Sequence, residues 1–179
     1  MSETNSELVA RAKNGDRQAF DRLVKENKDK MFALTLRMTG NREVALDLTQ
    51  ETFFAAFRDL RRFRGESSFS SWLYRIASNK SLNYLKRKKI LSFVPIIGSP
   101  AESESYEMND GTDQQELKNK IAEAVNLLPP KQKLVFNLRF YEQMPFGEIA
   151  AVLKKSESTV KTNYQKALEK LKPALKDFR

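Results

Sequence analysis

Apolar side chains return every three or four positions through two long blocks of this chain, separated by a stretch where the rhythm fails. In the first block Phe20, Leu23, Val24, Phe32, Leu34 and Met38 mark one amphipathic helix, with Asp16 suited to cap its start and Gly40 to stop it. Asn41 can cap a second helix, which carries Val44, Leu48, Phe53, Phe54, Phe57 and Leu60. Phe63-Arg64-Gly65-Glu66-Ser67-Ser68 reads as a loop. A third helix starts near Ser68 or Ser70 and runs through Trp72, Leu73, Ile76, Leu82 and Leu85 into Lys86-Arg87-Lys88-Lys89, and a shorter helix over residues 5–14 precedes the set. The second block predicts helices over about 113–127, 130–141, 145–153 and 156–172, with Pro129, Pro130 and Pro145 at helix starts, where a missing N–H costs little.

The pattern therefore predicts an all-α protein of two small helical domains, residues 1–89 and 117–179, joined by a flexible linker over 90–116. The linker opens on Ile90-Leu91-Ser92-Phe93-Val94-Pro95-Ile96-Ile97, too short an apolar run to span a bilayer, then turns acidic and Ser-rich.

Charge sharpens this division. Residues 1–89 carry 19 basic and 11 acidic side chains, 90–116 none and six, and 117–179 thirteen and six. Two cationic blocks flank an acidic connector, and cationic surfaces of this kind attract nucleic acid by counterion release. The chain has no histidine and no cysteine, which removes the commonest general base, the commonest metal ligand and any disulfide framework. No glycine-rich nucleotide loop is present, so a metabolic enzyme, a catalytic residue, a bound metal and a cofactor are not expected. The first residues lack the apolar core of a secretory signal, and a cytoplasmic protein without membrane insertion is expected.

Residues 145–167 have the layout of a helix-turn-helix. Ile149, Ala150 and Leu153 form the inner face of a first helix, with Ala150 small where the helices cross. After a Lys154-Lys155 turn, Ser156 caps a second helix whose inner face is Val160, Tyr164, Ala167 and Leu168. Its outer face presents Ser158, Thr159, Lys161, Thr162, Asn163, Gln165 and Lys166, the hydroxyls, amides and cations that address base edges and phosphates in a major groove.

Two further clusters are not explained by duplex binding. Asp47, Gln50 and Glu51 follow i, i+3, i+4 spacing on one helix face, opposite Leu48, Thr52 and Phe53. An acidic and amide face within a basic block suits the basic surface of a partner protein. Between 63 and 89, Phe63, Phe69, Trp72 and Tyr74 alternate with Arg64, Arg75, Asn79, Lys80 and Asn83, which suits single-stranded DNA through stacking and edge contacts. Trp72, Leu73 and Ile76 are read as core, and Lys86–Lys89 as phosphate contacts or a solvated helix end.

These motifs together resemble the extracytoplasmic-function (ECF) sigma factors of bacterial RNA polymerase. Asp47-Leu48-Thr49-Gln50-Glu51-Thr52-Phe53 resembles the family segment that docks on the polymerase clamp. Phe63 to Asn79 is similar to the promoter-melting segment of sigma region 2. Leu127-Leu128-Pro129-Pro130-Lys131-Gln132, Gly147-Glu148-Ile149-Ala150 and Ser158-Thr159-Val160-Lys161-Thr162 resemble sigma region 4. The resemblance implies a region 2 domain that holds core polymerase through Asp47, Gln50 and Glu51. It implies capture of a flipped −10 base by Arg64, Ser68, Phe69, Arg75, Asn79, Lys80 and Asn83, with Asn79 the foremost base contact. It implies reading of the −35 duplex by Ser158, Thr159, Lys161, Thr162, Asn163 and Lys166. An anti-sigma factor is an expected further partner, and a monomer suffices because the two DNA contacts differ in kind. Asn163 and Lys166 stand where the family often has arginine, and lysine lacks the planar fork for a bidentate guanine contact. Val44 and Leu46 stand where it is often acidic. The rivals are a plain helix-turn-helix regulator independent of polymerase, and a nucleic-acid-processing enzyme using carboxylates and a metal.

Overall fold

The fold is that of a computed structural model, which describes residues 4–92 and 113–175, the side chains of 113–119 and 174–175 excepted. Its elements are α1 (Asn5–Lys13), α2 (Arg17–Thr39), α3 (Arg42–Asp59), a 3-10 turn (Leu60–Arg62), α4 (Phe69–Ser92), α5 (Asp113–Asn126), α6 (Pro130–Phe140), α7 (Phe146–Leu153) and α8 (Glu157–Leu175). No strand occurs among the described residues. The chain divides into two compact units, Met1–Tyr84 and Leu85–Arg179.

In the first unit the helix boundaries follow from local chemistry. Thr4 and Glu7 form a reciprocal capping box that starts α1. Asp16 accepts the Ala19 N–H to start α2, and Arg11 from the last turns of α1 donates to the same carboxylate. The Ala19 N–H, then Arg11, hold the Asp16 carboxyl below its ordinary range. Gly40 closes α2 at φ +67°, a left-handed conformation that a Cβ would strain. Asn41 then accepts the Val44 N–H to begin α3.

α2 packs against both α1 and α3. Leu8, Leu23, Met31, Leu34, Met38 and Leu73 are fully enclosed in this core. The buried Thr35 hydroxyl on α2 lies 3.1 Å from the Ala45 carbonyl and 3.0 Å from the Thr49 hydroxyl, both on α3. That contact fixes the register of the two helices with a satisfied polar group instead of a methyl.

In the second unit α8 packs against α5, α6 and α7. Val125, Leu128, Phe136, Ala167 and Leu171 form a cluster, with Ile121, Ala124 and Tyr164 against its edge. Pro130 occupies the first turn of α6, as its fixed φ and absent N–H favour. Lys133 is buried at 6% exposure, its ammonium donating to Asn126 Oδ1 at 2.8 Å, and burial is the chief cause that lowers its pKa to about 8.

Three expectations need correction. The expected linker starts too early, since α4 runs on to Ser92, whereas α5 begins at Asp113, where a helix was expected. The cationic 86–89 block suits the last turns of a helix, and no Gly or Pro interrupts α4 before its end. The remainder of that linker, 93–112, lies outside the described residues. On α8, Leu168 is exposed and Leu171 takes the inner position, continuing Val160 and Tyr164 at helical spacing. On α7, Val152 is buried and Leu153 only half so.

Candidate functional site

Three surfaces carry the residues singled out from the sequence. The first is the outer face of α3. Leu48, Thr52 and Phe53 point inward and are buried, which turns Asp47, Gln50 and Glu51 outward. Asp47 has no ion-pair partner among the described residues, whereas Glu51 Oε2 accepts from Lys80 Nζ of α4 at 2.7 Å. Lys80, expected among the DNA contacts, holds its ammonium against a residue of the α3 face in the free protein.

Apolar side chains run through the same face. Leu46, Phe54 and Phe57 are 50%, 69% and 53% exposed. With Gln50 they fall at i, i+4, i+8 and i+11, one continuous stripe. A cleft of about 410 Å³ lies beside it, lined by Gln50, Glu51, Phe54, Ala55, Arg58 and Lys80. Phe54 and Phe57 belong to the apolar pattern of this helix yet stand open to solvent. The signal that separates them was available: Phe53 and Leu60 are seven residues apart and share the inner side, while Phe54 sits 100° further round.

The second surface is the 63–68 loop with the start of α4. Phe63 stacks on Trp72 with centroids 4.8 Å apart, and Phe69 meets the Phe63 ring edge-on at 6.2 Å. Phe69 was expected to face DNA; at 4% exposure its ring belongs to this aromatic cluster and has no open face for a base. Ser68 accepts the Ser71 N–H at 3.0 Å and so caps α4. Between the pinned ends, Arg64, Gly65, Glu66 and Ser67 are exposed, with Gly65 at φ +74° making the bend. On α4, Arg75, Asn79 and Asn83 follow at i, i+4 and i+8 in the same stripe as the half-buried Trp72; the two asparagines are exposed.

The third surface is the helix-turn-helix, α7 and the first turns of α8. Ile149, Ala150 and Val160 are buried at the crossing, and Lys154 turns the chain in the left-handed region at φ 51°. Ser156 accepts the Thr159 N–H at 3.2 Å to start α8. Ser158, Thr159, Lys161, Thr162 and Lys166 are exposed as expected, and Asn163 is half-buried. Several are already engaged. Thr162 donates its hydroxyl to Ser158 O, Asn163 Nδ2 donates to Thr159 O, and Lys161 pairs with Glu157 at 2.7 Å.

No group of three or more His, Cys, Asp or Glu side chains that could hold a metal occurs among the described residues. No helix among them is long and apolar enough to cross a membrane.

Two helical units, one with a helix-turn-helix and one with an aromatic loop and an exposed acidic and apolar helix face, have the makeup of a DNA-binding protein with surface left over for a protein partner. Residues 23–90 match the family described as Sigma-70 region 2, and residues 118–171 the family described as Sigma-70, region 4. The chain is 31% identical to the ECF RNA polymerase sigma factor SigW of Bacillus subtilis, over 95% of this chain and 96% of that one. It is 33% identical to the ECF RNA polymerase sigma-E factor of Escherichia coli K12, over 94% of each. Among solved structures, CnrH in complex with the cytosolic domain of CnrY superposes with a TM-score of 0.69 at 25% identity, covering 96% of this chain and 97% of that one. The sigma factor RpoE in complex with the anti-sigma factor NepR from Bartonella quintana shares the fold, with a TM-score of 0.70 at 18% identity over 89% and 98% of the two chains. The chain therefore belongs to the ECF sigma factors, the subunits that direct RNA polymerase to promoters. The rival of a polymerase-independent regulator is not favoured, because region 2 is present as well as the helix-turn-helix.

Proposed function

We propose that the exposed stripe of α3, centred on Asp47, Gln50, Glu51 and Phe54, is the face that docks on core polymerase. The observation that carries this reading is the combination of acidic, amide and large apolar groups, all turned to solvent, within a unit otherwise rich in cations. Unpartnered apolar area supplies affinity on burial, while the carboxylates steer the partner's basic groups into place.

In this reading the 63–68 loop and the Arg75–Asn79–Asn83 stripe receive an unstacked base of the −10 element, and the start of α8 reads the −35 element as duplex. Phe69 supports the loop from inside, leaving Arg64, Ser68, Arg75 and the two asparagines as contacts. Flipping a base costs a few kcal/mol, which stacking and edge hydrogen bonds offset at roughly 1–3 kcal/mol per base. The protein acts in the cytoplasm as a specificity subunit with no catalytic activity of its own. A partner of the anti-sigma class holds it when it is free of polymerase. The structural relative CnrH, held in a complex with the cytosolic domain of CnrY, supports the presence of a protein partner of some kind.

The test is equilibrium binding of the labelled full chain to core RNA polymerase, wild type against Asp47→Ala/Gln50→Ala/Glu51→Ala. Tight binding by wild type and loss of at least tenfold in the triple variant are expected. Equal affinity of the two would remove α3 from the docking surface.

A further inference from the structure

α1 lies before the segment that matches region 2, and the family match assigns it nothing. Yet its last residue, Lys13, reaches fifty positions along the chain and donates from Nζ to the backbone carbonyl of Phe63. The same ammonium lies 5.6 Å from the centroid of the Phe63 ring.

This carbonyl stands at the mouth of the 63–68 loop. Phe63 is the first residue after the 3-10 turn, its N–H donates back to Leu60 O, and its φ of −67° and ψ of 115° turn the chain out into the loop. A carbonyl at such a helix end has no partner within the helix, and Lys13 supplies one. The ring of the same residue is clamped by Trp72 and Phe69. Lys13 is itself held: Arg11, two residues earlier, is tied to Asp16 at 2.8 and 2.5 Å, which anchors the end of α1 to the start of α2.

We propose that Lys13 is a positioning residue for promoter opening: its ammonium fixes the Phe63 carbonyl, and thereby the near end of the loop that receives the unstacked base. The inference rests on the base-capture reading of that loop. Ser68 fixes the far end by capping α4, so only four residues, Arg64 to Ser67, remain free to adapt. A loop held at both ends loses less conformational freedom when a base enters it. Lys13 touches no DNA in this account; it acts through the backbone of Phe63.

The experiment uses holoenzyme reconstituted from the full chain and core polymerase, on a promoter fragment selected with wild-type holoenzyme from a random library. The fragment carries 2-aminopurine in its −10 element. Lys13→Met keeps the aliphatic stem and removes the donor and its charge; Lys13→Arg restores both, and Lys25→Met, exposed on α2, removes one charge elsewhere. We expect Lys13→Met to slow opening about tenfold, in line with the loss of a charged hydrogen bond. Core-polymerase affinity and duplex affinity should stay at wild-type values, the variant should still fold and melt cooperatively with its melting temperature only a few degrees lower, Lys13→Arg should recover most of the rate, and Lys25→Met should open normally. Equal slowing by Lys25→Met, or loss of core binding or folding in Lys13→Met, would overturn the proposal in favour of net charge or of α1 packing. Normal opening by Lys13→Met alongside slow opening by Asn79→Ala overturns the role of Lys13 alone. Normal opening by both overturns the base-capture reading beneath it.

Discussion

Replacing Phe54 by alanine separates the two kinds of contact that the α3 face offers. The ring is 69% exposed in the free protein. Since a phenylalanine buries some 150–250 Å² when fully enclosed, docking can remove roughly 140 Å² of its apolar surface from water. At about 25 cal/mol per Å² this is an upper bound of ~3.5 kcal/mol; incomplete cover and the retained Cβ bring the expected loss nearer ~2 kcal/mol, or about 30-fold in Kd. The assay is binding to core polymerase across a salt series, with the melting temperature of each free variant as control. Phe54→Ala should lower affinity at every salt concentration and leave the slope of log Kd against log salt unchanged, because no charge is lost. Asp47→Asn should flatten that slope, and Glu51→Gln less so, since Lys80 already neutralises Glu51. The neighbouring Phe53, 9% exposed, provides the contrast: Phe53→Ala should lose about 3–5 kcal/mol of stability, while Phe54→Ala melts like wild type. A Kd for Phe54→Ala within twofold of wild type would refute the reasoning, whatever the carboxylates do.

Two further outcomes follow from the second unit. Lys133 has a pKa lowered to about 8 from the ordinary 10.5, chiefly by burial, so between those values the unfolded chain binds more protons and stability rises with pH. Below pH 8 the folded state bears the whole cost of a buried ammonium, at most ~3 kcal/mol, and Lys133→Met should raise stability at pH 7 by about 1–2 kcal/mol once the lost bond to Asn126 is discounted. It should also flatten the rise above pH 8; chemical denaturation at pH 7 and 9.5 checks both, and a less stable variant at pH 7 would count against the account. At the start of α8, Glu157→Gln frees Lys161 and removes an anion from the DNA-facing turn, so affinity for a −35 duplex should rise about threefold at low salt, measured by anisotropy. The same change should cost a few tenths of a kcal/mol of stability through the lost pairing with the helix dipole.

What could be read from the sequence was mostly what neighbours in the chain decide. Asp16, Asn41 and Ser156 cap the helices they were expected to cap, and Gly40 stops α2, because a cap needs only a side chain and an N–H three residues on. The exposure of Asp47, Gln50 and Glu51, and of the outer residues at the start of α8, follows from helical periodicity, which is equally local. The failures share another cause. Phe69 is buried because Phe63 and Trp72 pack around it, which no local pattern announces, whereas helical phase was enough to place Phe54 outside. Lys80 beside the docking face, Lys133 inside the second unit and Lys13 on the Phe63 carbonyl are cations whose partners lie 29, seven and 50 positions away. Charge counting treats all three as solvated surface. The near end of the 90–116 stretch was misread because composition changes there before α4 stops.

In the proposed reading, the two DNA-facing surfaces solve opposite problems. A flipped base has paid for its extrusion and needs a receptor already in shape, and the 63–68 loop is anchored on both sides: Lys13, Leu60 and the aromatic cluster at Phe63, the cap at Ser68. The duplex need not be deformed to present its edges, and α8 meets it with groups that are partnered within the helix. Thr162 has its single hydroxyl proton committed to Ser158 O, so it faces the groove as an acceptor, while Lys161 must leave Glu157 before it can reach a phosphate. Each contact to the groove then exchanges one hydrogen bond for another, and such exchanges yield only about 0.5–1.5 kcal/mol. A helix of this kind binds weakly alone. It gains in the assembled holoenzyme, where docking through α3 makes the second DNA contact an intramolecular event and raises its effective concentration. On this account the α3 face governs the apparent strength of both promoter contacts, and a change at Phe54 should weaken promoter occupancy without altering which sequence is preferred.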